Sequence, residues 1–124
     1  MAKKYRLLIV DDEESITYLL RTEFGEHAEF ETDAALNGAD ALKLLQTKSY
    51  DIVLLDVKMP RVSGLEVLKF IREQAPTTQV IMLTNMVDLQ LAVDTTKLGA
   101  EDFVSKPYDL VDLLTTVERV LTTE

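Results

Sequence analysis

The chain has 124 residues, a formal net charge of -9 and no cysteine. Its 47% hydrophobic and 28% charged residues are those of an ordinary globular protein, expected to fold as one domain over residues 1–124. The acidity argues against a nucleic-acid surface, which needs clustered Lys and Arg, and the missing thiols exclude disulfides and thiolate metal sites. No apolar run approaches the ~20 residues of a membrane span. Lys3 and Lys4 lead straight into a short strand rather than a signal peptide, so the cytoplasm is the expected compartment, with no membrane partner.

In chain order, Leu7-Leu8-Ile9-Val10 reads as a buried strand running directly into Asp11-Asp12. Over residues 13–24, Ile16, Leu19, Leu20 and Phe24 recur at helical spacing, and Gly25 is expected to end that helix. Residues 28–34 alternate apolar and polar, the pattern of an edge strand with one wet face. Asn37 caps a second helix that turns Ala41, Leu42 and Leu45 inward. The stretch 51–56, Asp-Ile-Val-Leu-Leu-Asp, is a strand buried on both faces. The loop chemistry of Met59-Pro60 and Ser63-Gly64 follows it, so Asp56 stands at its carboxyl end.

Ser63 and Glu66 form a capping box for a third helix that buries Leu68 and Ile71 and stops at Pro76. Residues 80–83 make a fourth strand ending in Thr84-Asn85. Asp88 is the expected cap of a fourth helix, terminated by Gly99. Phe103-Val104 forms a short last strand before Lys106-Pro107. Asp109 caps a final helix with the stripe Leu110, Leu113, Leu114, Val117 and Leu121, onto which Tyr108 could staple.

Five strands alternating with five helices require parallel pairing and right-handed crossovers. With the alternating second strand at an edge, the expected fold is α/β: a five-stranded parallel sheet in flavodoxin-like order 2-1-3-4-5, with helices on both faces. The dinucleotide fingerprint is missing, since the first strand leads to acids and not to glycines.

In that order the first and third strands are neighbours, so Asp11, Asp12 and Asp56 meet at the switch point. Three such charges repel unless compensated, and an oxygen-only donor set without His or Cys suits Mg²⁺. Thr84 and Lys106 end the two remaining strands on the same edge. A metal, a hydroxyl and a cation around one carboxylate suit in-line phosphoryl transfer, with Asp56 as nucleophile.

Asp11-Asp12, Asp56 before Lys58-Met59-Pro60, Thr84 and Lys106-Pro107 resemble the receiver domain of bacterial two-component response regulators, across essentially the whole chain. The resemblance implies a phosphorylation-dependent switch rather than an enzyme. Asp56 would accept a phosphoryl group from a histidine kinase or phosphotransfer protein. Mg²⁺, or Mn²⁺ in its place, would sit on Asp12 and Asp56, with Asp11 acting through water and the Lys58 carbonyl as a further ligand. Thr84 and Lys106 would hold phosphoryl oxygens, and Phe103 would be the aromatic that turns inward when Thr84 moves. Lys58 and Met86, each two positions beyond a site residue, would govern water access to the acyl phosphate. Output to a partner or a second copy would leave through the fourth helix, fifth strand and fifth helix.

Each mark also has a plain structural explanation: an acidic pair favours a helix start, Lys-Pro is a common loop dipeptide, Thr ends many strands, and Phe103 suits a core. The only histidine, His27, reads as a surface-turn residue. An aspartate-nucleophile phosphatase is a rival, but such enzymes show Asp-x-Asp, and here the second position is Lys58. A degenerate receiver acting only as an interaction module would lose an acid, the Thr or the Lys, and none is lost. In the fourth helix Leu89, Val93 and Thr96 share one face with Leu91 and Leu98 nearly opposite, so at least one leucine is expected near solvent.

Overall fold

A computed structural model describes residues 4–85, 89–106 and 108–122, with the side chains of all but residues 84, 85, 89, 91 and 92. Strands and helices alternate: β1 (Tyr5–Val10), α1 (Glu14–Gly25), β2 (Phe30–Ala35), α2 (Gly38–Thr47), β3 (Ile52–Asp56), α3 (Gly64–Gln74), β4 (Gln79–Asn85), α4 (Leu89–Lys97), β5 (Asp102–Lys106) and α5 (Leu110–Thr122). All five strands pair in parallel in the order β2-β1-β3-β4-β5, as expected from the sequence.

The period of two along the strands divides the core into two layers. Leu8, Val10, Val53 and Leu55 face Ala41 of α2 and Val67, Leu68 and Ile71 of α3. Leu7, Ile9, Ile52 and Leu54 face Leu20 and Phe24 of α1 and Leu113, Val117 and Val120 of α5. Because β1 and β3 are covered on both sides, residues 7–10 and 52–55 are apolar without alternation. β2 pairs only with β1 and has a mixed burial pattern, as befits an edge.

The caps follow the sequence signals. Asn37 Oδ1 accepts from the Asp40 amide at 2.7 Å, Ser63 Oγ from Glu66 at 3.3 Å, and Asp109 Oδ1 from Val111 at 2.9 Å. Tyr108 packs against the layer that contains Leu113. The Asp88 cap and Met86 lie outside the described residues.

Several boundaries differ from the sequence reading; β4, for one, runs from Gln79 to Asn85 where the sequence pattern predicts residues 80–83. α1 runs through Gly25, and Glu26 after it keeps right-handed geometry, so the helix ends without a left-handed glycine. β2 starts at Phe30 because the chain turns first, with the Phe30 amide donating to the His27 carbonyl at 3.0 Å. β5 extends through Lys106, since pairing with β4 continues to Asn85. Gly99, by contrast, has φ 106° and does terminate α4 as a left-handed residue.

Candidate functional site

Register brings the acids together. Val10 pairs with Leu55, so the residues that follow, Asp11 and Asp56, leave adjacent strands at the same level. Asp11 and Asp56 are buried and Asp12 is exposed, and one carboxylate oxygen from each lies within 4.8 Å of the others. Asp11 Oδ1 accepts from the Glu13 amide at 2.9 Å, which turns the chain into α1 and fixes the carboxylate. Its other oxygen, Oδ2, is completely buried and faces the Lys106 ammonium.

Lys106 arrives from the end of β5. Its Nζ lies 2.9 Å from Asp11 Oδ2, 3.5 Å from Asp56 Oδ2 and 3.5 Å from Glu13 Oε1. One ammonium thus serves several carboxylates. Burial works to lower its pKa, but Asp11, Asp56 and Glu13 outweigh that and hold it above the usual lysine value. For Asp56 the balance goes the other way. Burial, then the charge of Asp11, pushes its carboxyl up to about 7; Lys106 only partly opposes this, and Asp12 adds to it.

An oxygen-only donor set and surplus negative charge, three carboxylates against one nearby ammonium, fit a hard divalent cation. The acidic pocket could therefore bind a metal.

The remaining sequence candidates are placed as follows. The backbone of Thr84 lies near the end of β4, paired with Ser105; its side chain is outside the described residues. Lys58 is exposed in the loop after β3. Phe103 is half-buried against the layer of α2 and α3, a position compatible with both core and switch roles. His27 sits in the turn after α1, with its ring edge-on to Phe30.

Two participants escaped sequence reasoning. Glu13 joins the Lys106 ion pairs although it reads as a helix-start acid. Gly64 starts α3 so close to β3 that a β-carbon there would collide with the Asp56 carbonyl oxygen, while its amide donates to the Val57 carbonyl at 3.0 Å. Its place in a Ser-Gly capping sequence signals a helix start and not this contact.

Residues 7–118 match the family model of the response regulator receiver domain. The chain is 40% identical over 116 residues to the regulatory protein AtoC of Escherichia coli, covering 94% of this chain and 25% of that protein. It is 38% identical over 109 residues to the transcriptional regulatory protein DltR of Streptococcus agalactiae, covering 88% of this chain and 48% of that one. The chain therefore spans a quarter to a half of the length of these relatives. The receiver domain of NtrX from Brucella abortus superposes with a TM-score of 0.89 at 31% identity, covering 95% of this chain and 99% of that one. With sheet order, acidic switch point and sequence in agreement, the chain belongs to the response regulator receiver domain family.

Proposed function

We propose that this domain is a phosphorylation-dependent signalling switch in which Asp56 accepts the phosphoryl group. The observation that carries the reading is the meeting of Asp11, Asp12 and Asp56 with the Lys106 ammonium at the end of the sheet. In the reaction an Asp56 carboxylate oxygen attacks the phosphorus of the donor in line. The bond from phosphorus to the donor nitrogen breaks as the acyl phosphate forms. The donor is a histidine kinase or phosphotransfer protein.

Asp12 and Asp56 would hold Mg²⁺, with Asp11 acting through water and the Lys58 carbonyl completing the set. When bound, the ion neutralises charge on the phosphoryl oxygens. Lys106 is already 3.5 Å from Asp56 and is drawn to the new dianion, which loosens its hold on Asp11. Thr84 takes a second phosphoryl oxygen, and Phe103 responds to its movement. The domain turns over no outside substrate.

The output surface is α4, β5 and α5. Val93 on α4 is 46% exposed and Leu98, in the turn just after it, 41% exposed, while Thr95 faces inward, fully buried. Val111 on α5 is 72% exposed. A partner or second copy that prefers the phosphorylated arrangement of this surface shifts the equilibrium by the difference in its two affinities.

The test is intact-mass analysis after exposure to a small phosphodonor with Mg²⁺. Wild type gains one phosphoryl group and Asp56→Asn gains none. A full adduct on the Asn variant contradicts the assignment.

A further inference from the structure

Tyr108 stands two residues beyond Lys106, where β5 has ended and α5 has not begun. Its ring packs against the layer formed with α1 and α5, alongside Ile16, Val104 and Leu110. Its hydroxyl oxygen is completely buried yet has no hydrogen-bond partner among the described residues. A phenol gains nothing from such a place that a phenylalanine would not gain more cheaply, because a buried donor without an acceptor loses its hydration uncompensated. After burial, the charges of Asp11, Asp56 and Glu13 raise the pKa of Tyr108, so the hydroxyl keeps its proton and remains a donor.

We propose that Tyr108 is a positioning residue for the occupied site, its hydroxyl finding an acceptor only when a phosphoryl group is present on Asp56. The acceptor is a phosphoryl oxygen or a water held on one. The inference rests on the function proposed above for Asp56 and adds a residue to it. In the unphosphorylated domain the orphaned hydroxyl is a small, constant cost. Phosphorylation supplies a strong acceptor at Asp56, 3.5 Å from the ammonium of Lys106 two residues before Tyr108, and the difference favours the occupied arrangement. A hydrogen bond that exists in one of two states is what a switch requires to shift its population. It also ties the start of α5, part of the proposed output surface, to the chemistry at Asp56.

Tyr108→Phe removes the hydroxyl and keeps the ring. The probe is beryllofluoride with Mg²⁺, a mimic of the phosphoryl group on a carboxylate, titrated into both proteins. Thermal unfolding of each free protein is measured alongside. The expected result is about tenfold weaker binding of the probe by the variant, the weight of one hydrogen bond to a charged group. The free variant is expected to unfold at the same temperature as wild type or higher. Equal affinity for the probe overturns the proposal. A free variant that unfolds earlier while binding falls only in proportion also overturns it, since the hydroxyl would then have a partner in the empty site. If wild type itself fails to bind the probe, the assignment of Asp56 fails, and the role of Tyr108 goes with it.

Discussion

The Lys106 ammonium lies 2.9 Å from Asp11 and 3.5 Å from Asp56, so the cation expected to grip a phosphoryl group is held meanwhile by a neighbouring acid. Asp11 is fully buried, and among the described residues the oxygen facing Lys106 has no other hydrogen-bond donor. Lys106→Ala should therefore destabilise the metal-free domain by about 2 kcal/mol. That is below the ~3–5 kcal/mol for breaking a fully buried pair, because the ammonium keeps some contact with water. Denaturant melts with and without Mg²⁺ check this. Added Mg²⁺ should return part of the loss, and phosphorylation of the variant at Asp56 should no longer alter α4 and α5.

Stability should fall with pH through the range where Asp56 ionises in the folded state. Its carboxyl is raised from 3.8 to about 7, so between those values the folded domain binds a proton that the unfolded chain has released. Stability from this group is thus greatest at low pH, declines as pH rises and levels off above about 7. Relative to Asp56→Asn, wild type should lose up to about 1.4 kcal/mol per pH unit in that window. Paired melts at several pH values measure the difference. A parallel pH dependence in the two proteins contradicts the raised pKa.

Gly64→Ala tests how tightly α3 is seated on the acceptor strand. The added methyl meets the Asp56 carbonyl, which is backbone and cannot swing away. A loss of about 2 kcal/mol is expected, as for overpacking elsewhere in a core, together with slower phosphorylation as Asp56 is displaced. Ala at Gly25, which has nothing near its missing side chain, serves as the control and should leave both unchanged.

The sheet order was legible because residues 7–10 and 52–55 are apolar without interruption while the sequence over residues 28–34 alternates apolar and polar, which separates central strands from an edge. The acids and Lys106 were legible for a related reason: each directly follows or closes a run of strand residues, and parallel strands bring their carboxyl ends to one side. What stayed hidden depends on approach between segments distant in sequence. Glu13 reaches Lys106 across 93 residues. Gly64 meets the Asp56 carbonyl through the curl of the loop, in which Arg61 takes a positive φ of 66°. Boundaries were blurred where local signals were ambiguous, as at Gly25, which lies inside its helix, and at residues 28–29, whose composition suits a strand although they belong to a turn.

The most direct test of the central claim is to find which residue carries the phosphoryl group. The phosphorylated domain is treated with borohydride, which reduces an acyl phosphate on aspartate to the corresponding alcohol, and its peptides are sequenced by mass spectrometry. The reduced residue should be Asp56 alone, with Asp11 and Asp12 recovered as aspartate. Reduction at either of those acids, or a stable phosphoryl adduct with no reduced residue at position 56, contradicts the account.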